Sequence, residues 1–460
     1  MYHALGNWLI DSWKRPGIHS HEAFFQKSQW WSAEQLRAYQ MEKLARLLDH
    51  CRKNVPYYTQ FMKNRTPDLR EMPFLTKEII NNNRDALRAT NYPDDRLYIS
   101  GTGGSTGEPM NFYRNKDLGA TVDALVYRAR KWWGFNPGMR YALIWGNSFE
   151  ATKHANLARR LSNHVKNSIF LNAHQLDDNV VAELLKEIQR FRPKVIWGYA
   201  GALGRLSQYA LDHGISFELR CAISTAETLY PNVRQLIAQA FHCDVFDYYG
   251  SGEVGSIAFE CNTHECYHVS DEHVLLEVVD DQGRPAKPGE IGSVVVTDLD
   301  NFGMPFVRYL NRDLAVLGPE KSCSCGRGLS RLARVEGRVS DFIFTPEGKI
   351  IHPTYLMYLF YRDPDHANRL EGIRSYKIIQ NTISELIVLL QLEPGYGDET
   401  KHYVYKNFAT RFPSMRIEVQ AVEEIPVSKS GKRRYVESNI SASNFSKITS
   451  GRKLPDDLGV

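Results

Sequence analysis

Residues 100–109 read SGTGGSTGEP. The segment offers almost no apolar side chain with which to pack a core, and glycine loses more conformational freedom on folding than any other residue. A bound anion would offset that cost. Gly103, Gly104 and Gly107 let backbone N–H groups approach a ligand closely, and Thr102, Ser105 and Thr106 add hydroxyl donors, so the chemistry expected is the cradling of a phosphate chain. A Walker loop is excluded because Glu108 and Pro109 follow Gly107 where Lys and Ser/Thr would be required. The dinucleotide fingerprint is not matched either. The same composition also suits an ordinary surface loop.

A second group of residues points to metal. The chain has seven cysteines, an odd count that does not suit a closed disulfide framework. Cys51, Cys221 and Cys243 stand apart in apolar surroundings and read as small buried hydrophobes. Cys261 and His268, in ECNTHECYH, combine with Cys323 and Cys325, in CSCGR, to give three sulfurs and one imidazole. That is a closed tetrahedral set for a structural Zn²⁺, with His264 and Cys266 as possible substitutes and reduced, metal-free cysteines as the alternative.

These residues need a scaffold, and the pattern of apolar residues predicts one. Ser32 and Gln35 form a capping box ahead of a helix carrying Leu36, Leu44, Leu47, Leu48 and Cys51 on one face. Thr76 is placed to cap a second helix. From there to about residue 260, helical patterns alternate with short strands such as YALIWG, KVIWGYA and DVFDYYG, which implies α/β layering. HVLLEVVD, GSVVVTDL and FVRYL then read as antiparallel strands joined by turns. After GRVSD the order strand, strand, helix, strand describes a small α+β unit. The tail beyond Tyr435 is polar and is expected to be loosely held.

At 460 residues more than one domain is expected, and a net charge of +4 gives no warrant for nucleic-acid binding. No apolar run is long enough for a membrane span and the N-terminus lacks the features of a signal peptide, so a cytoplasmic protein is the expectation. The sequence specifies no oligomeric state.

Five motifs in order, TGGSTGEP, YYGSGEVG, TDLDNFGMPFVRYLNRD, VEGRVSD and PVSKSGKRR, resemble those of the adenylate-forming ligases. The resemblance is nearest to the phenylacetate-CoA ligase group, which includes capsular polysaccharide biosynthesis members, and it spans the chain from NVPYY to SGKRR. It implies a large multi-subdomain N-terminal adenylation domain, residues 1–339, and a small mobile α+β lid, residues 340–460. It further implies ATP-dependent activation of a carboxylic acid to an acyl-adenylate, then transfer to coenzyme A as the thiol acceptor or to an amine. A non-catalytic, zinc-stabilised nucleotide-binding protein is the alternative of a different class.

By the same resemblance Glu253 would hold Mg²⁺, Tyr249 would stack on adenine beside Gly250, and Glu227 in STAET would contact the base. Asp313 would accept from both ribose hydroxyls, Arg338 would reach ribose or phosphate, and Thr106 would act with the phosphate loop. Lys432 would reach the acyl carboxylate and α-phosphate, where negative charge concentrates in the transition state. Arg308 is read as either a site residue or an internal ion-pair partner. Trp145, Tyr199 and Tyr248, with Trp197, lie where an acid pocket could form, and equally suit a core. The sequence departs from the family at Glu108, where Lys is common, at Gly252, where Ser or Thr is usual, and at Ser340, where the hinge acid is expected.

Overall fold

The structure is a computed structural model that describes residues 2–62, 68–102, 110–146, 157–173, 176–280, 282–319, 321–351, 353–360, 372–425 and 434–440. At its centre an eleven-stranded sheet runs through both chain patterns that the sequence predicts. Five strands, Ser168–Asn172, Tyr141–Trp145, Val195–Tyr199, Cys221–Thr225 and Asp244–Ser251, lie parallel in that order. At Asp244–Ser251 the sheet turns antiparallel through Gly255–Glu260, Tyr267–Val269, Arg331–Arg338, Tyr309–Leu317, Ile291–Asp298 and Val274–Val279.

Side chains alternate across a strand, and the parallel half is apolar on both faces because helices cover both. Tyr141, Val195, Trp197, Cys221, Ile223 and Phe246 belong to one core, with apolar residues of the helices Ile18–Ser28 and Leu118–Trp132. Their neighbours Ala142, Ile196, Ala222 and Val245 belong to the opposite one, with those of Asp178–Phe191, Ala200–Asp212 and Pro231–Phe241. Continuous burial along Val195–Tyr199 and Cys221–Thr225 follows from this sandwiching.

The expected helix caps form. The Ser32 hydroxyl accepts from the Gln35 N–H at 3.2 Å while the Gln35 side chain accepts from the Ser32 N–H at 3.0 Å, starting the helix Ala33–Asn54. Such a cap stabilises by about 1 kcal/mol. Its buried stripe is Leu36, Leu44, Leu47, Leu48 and Cys51, as the spacing predicts. The Thr76 hydroxyl likewise accepts from the Ile79 N–H and starts Lys77–Leu87.

The C-terminal part carries a four-stranded sheet in the order Arg416–Ala421, Glu385–Leu392, Ile373–Thr382, Val436–Ser438, with the helix Asp398–Arg411 packed on it. One expectation is corrected here. The chain just past Tyr435 is not loosely held, because Val436–Ser438 pairs in parallel with Ile378, Ile379 and Gln380 and Val436 is buried. Ser438 is buried too, and its hydroxyl donates to Gln380 Oε1 at 2.9 Å. No helix among the described residues is long and apolar enough to cross a membrane.

Candidate active site

The candidate site lies where the sheet changes from parallel to antiparallel. The hairpin from Asp244–Ser251 to Gly255–Glu260 places Glu253 in its turn, next to the C-terminal ends of the parallel strands, the edge at which open α/β sheets bind ligands. Gly250 makes this hairpin possible: a Cβ there would lie 2.7 Å from the Gly255 carbonyl oxygen.

Asp313 and Arg338 are cross-strand partners, with Arg338 Nε 3.5 Å from Asp313 Oδ1. The Tyr249 hydroxyl donates to Asp313 Oδ2 at 2.8 Å, and the Asn311 amide donates to the same oxygen at 2.8 Å and to the Tyr249 hydroxyl at 2.9 Å. Asn311 and Asp313 reach one another because Arg312 between them has φ 67°, which turns an extended strand into a local loop. Burial raises the pKa of Asp313 against the pull of the Arg338 charge, and burial raises that of Tyr249, with the Asp313 charge adding to it. The tyrosine therefore stays a donor and the carboxylate stays anchored.

Glu253 is tied in by a second tyrosine, whose Tyr309 hydroxyl donates to Glu253 Oε1 at 3.0 Å. Burial, then the Glu253 charge, keeps Tyr309 protonated. Glu253 is half-buried, and a hard divalent ion takes oxygen ligands of this kind, so the side chain present fits Mg²⁺. Arg338 is joined to the segment behind it, since its N–H donates to Asp341 Oδ2 at 3.1 Å. Gly337 has φ 91° and a Cβ there would lie 2.6 Å from Thr228 Oγ1, so this bend also requires glycine. Arg434 donates to Ser340 Oγ at 2.6 Å and to Asp341 Oδ1 at 2.8 Å, linking the segment that follows Lys432 to residues 340 and 341.

The remaining expected residues fall near that edge, in the core beneath it, in a separate hairpin or outside the described residues. Glu227 Oε2 accepts from the Gly201 N–H at 2.7 Å, at the start of the helix Ala200–Asp212. Trp145 and Tyr199 end adjacent strands with ring centroids 4.8 Å apart, and burial raises Tyr199 to about 12. Tyr248 bonds Ser256 at 2.9 Å and packs against Trp197 in the core beneath. Thr102 ends the strand Leu97–Thr102, which pairs with Met110–Asn115 in a separate hairpin. Gly103, Gly104, Ser105, Thr106, Gly107 and Lys432 lie outside the described residues. Arg308 is internal: it forms paired 3.1 Å bonds to Glu277 and donates to the carbonyls of Arg70 and Met72. Tyr309 and Asn311 lie inside the third motif, but no feature of the sequence singled them out within it.

The cysteine and histidine ligands converge. The candidate ligand atoms of Cys261, His268, Cys323 and Cys325 all lie within 4.8 Å of one another. Cys261 Sγ is 3.7 Å from Cys323 Sγ, and His268 Nε2 is 3.2 Å from Cys325 Sγ. Two thiolates about 2.3 Å from a tetrahedral ion would be separated by much the same distance. Burial, then Arg327, Arg128 and Arg331, pushes His268 down to about 3, leaving the neutral ring that can ligate. His264 turns away to Glu260 at 2.9 Å and stacks on Phe246.

Two anchored carboxylates, Glu253 in a hairpin turn and Asp313 on a strand, thus stand by the sheet edge at which open α/β folds bind ligands. Residues 26–301 match the AMP-binding enzyme family and residues 343–439 match the CapK C-terminal domain. The chain belongs to the AMP-binding enzyme family, and it is an AMP-forming ligase. It is 24% identical to Protein CapK of Staphylococcus aureus over 87% of this chain and 89% of that one. It is 26% identical to the phenylacetate-coenzyme A ligase of Thermus thermophilus over 70% of this chain and 74% of the relative. The fold resembles that of 2-hydroxyisobutyryl-CoA ligase in the postadenylation state in complex with 2-HIB-AMP, at a TM-score of 0.69 and 17% identity, covering 90% of this chain and 91% of that one.

Proposed function

We propose that the protein joins a carboxylic acid to ATP, forming an acyl-adenylate and pyrophosphate, and then transfers the acyl group to the thiol of coenzyme A with release of AMP. The observation that supports this best is the Tyr249–Asn311–Asp313–Arg338 cluster next to the Glu253 turn. With Asp313 Oδ2 held by Tyr249 and Asn311, the carboxylate is fixed so that Oδ1 is suited to accept from ribose hydroxyls. Arg338 offsets its charge and stands ready for a phosphate oxygen. Glu253, fixed by Tyr309, would hold Mg²⁺, which when bound neutralises phosphate charge. Lys432 would lie at the acyl carboxylate, where a cation lowers the repulsion between two anions brought into reach.

In this reading the unit from residue 340 onward is a lid that turns about Ser340 and Asp341, carrying Lys432 in for adenylation and away for thioester formation. A hinge needs backbone freedom rather than a particular charge, which makes Ser340 serviceable there. Cys261, His268, Cys323 and Cys325 hold one structural Zn²⁺, joining the loops that precede this lid. Trp145 and Tyr199 border the acid.

Acid-dependent exchange of pyrophosphate into ATP, over a panel of aryl, fatty, hydroxy and amino acids, tests the first step. Exchange with one class, abolished by Lys432→Ala, is the expected result. Exchange with none, in folded protein that binds ATP, would sink it. AMP release that requires coenzyme A identifies the thiol acceptor; release driven by an amine instead would replace it.

A further inference from the structure

The turn that carries Glu253 is held from outside by two basic side chains. Arg114 donates through one guanidinium nitrogen to the Gly252 carbonyl and through the other to the Val254 carbonyl, both at 3.3 Å. His273 Nε2 lies 3.1 Å from the same Val254 carbonyl oxygen. The two residues flanking Glu253 are thus both tied down through their carbonyl groups.

His273 is fully buried, a costly place for a charge. Its Nδ1 is nevertheless 2.8 Å from Asp300 Oδ2 and 3.8 Å from Asp298 Oδ1. Both ring nitrogens face acceptors, so both carry protons and the ring is an imidazolium. Lys43 Nζ, 2.5 Å from the other oxygen of Asp300, completes the charge balance. His273, Asp298 and Asp300 lie near enough together to hold a metal ion, but the imidazolium and Lys43 already supply the positive charge such an ion would bring. What the cluster delivers is a charged donor aimed at one carbonyl, and hydrogen bonds from charged donors are about twice as strong as neutral ones.

We propose that His273 and Arg114 are positioning residues that clamp the Gly252–Val254 turn, so that Glu253 is presented to Mg²⁺ in a fixed place rather than having to be ordered on binding. The inference rests on the reading of Glu253 as the magnesium ligand.

The test is ATP affinity measured by calorimetry with saturating Mg²⁺ and again in EDTA, on the full chain. His273→Leu and Arg114→Ala are each expected to reduce the gain in ATP affinity that Mg²⁺ provides by about tenfold, with affinity in EDTA unchanged. His273→Gln, which can still donate to Val254, recovers most of that gain. Equal losses with and without Mg²⁺, or a full gain retained in both variants, would overturn the clamp. If His273→Leu does not fold, Arg114→Ala, at a more exposed position, decides alone. Glu253→Gln separates the underlying reading: it should abolish the gain. Should the unaltered protein show no gain, or Glu253→Gln retain it, the magnesium assignment falls and the clamp with it; a loss in Glu253→Gln alone overturns only the clamp.

Discussion

Tyr249 and Asp313 come from strands on opposite sides of the sheet's parallel-to-antiparallel change, 64 residues apart in the chain, and meet in a 2.8 Å hydrogen bond. One oxygen of the carboxylate is thereby committed to the tyrosine and to Asn311, and the other faces Arg338 at 3.5 Å. Asp313→Ala should weaken ATP binding by about 10- to 100-fold, the range for losing charge-assisted bonds. It should also erase discrimination between ATP and 2′-deoxyATP. Calorimetry with both nucleotides checks this, and a variant that still prefers ATP would show that another group reads the ribose.

Arg308 gives the opposite expectation. It lies inside the third motif, but its guanidinium is spent on Glu277 and two backbone carbonyls. Arg308→Ala leaves the partly buried Glu277 carboxylate without its partner and should cost about 3 kcal/mol of stability. Its ATP affinity, measured below the melting transition, should remain that of the unaltered protein. A selective loss of ATP binding in stable protein would return Arg308 to the site.

Four converging ligands predict one zinc per chain by elemental analysis, and a melting temperature lowered by several degrees after chelation. Cys325→Ala should lose the metal, whereas Cys266→Ser, outside the set of four, should keep it. A chain that is metal-free after expression in zinc-replete medium, and whose melting is indifferent to added zinc, would contradict the assignment.

Asp247 sets a pH dependence. It is buried, and burial followed by the Glu260 charge raises its pKa to about 7 from an ordinary 3.8. The folded chain therefore retains a proton that the unfolded chain has released between those values. This contribution to stability is complete below about pH 4 and declines as pH rises to 7, by at most about 1.4 kcal/mol per pH unit. Asp247→Asn, which cannot titrate, should gain stability relative to the unaltered protein steadily from pH 4 to 7 in thermal melts. Parallel curves over that range would mean that Asp247 ionises normally.

Local order was legible in the sequence. The capping box at Ser32, the Thr76 cap, the α/β alternation up to residue 260 and the antiparallel run after it depend on backbone propensity and on burial of neighbouring side chains, which short spans of sequence encode. Glu253 and Asp313 could be named because their motifs resemble those of the adenylate-forming ligases, and the four candidate zinc ligands because few residue types hold zinc. The tertiary structure decided what those motifs do to one another. That the parallel and antiparallel strands form one sheet, that Asn311 and Tyr309 brace the two carboxylates, that Arg308 turns inward while Arg338 turns to the site, and that His273 lies behind Val254 are all contacts between segments distant in the chain. Such contacts are fixed by strand register and by the satisfaction of buried polar groups, and no periodicity records them.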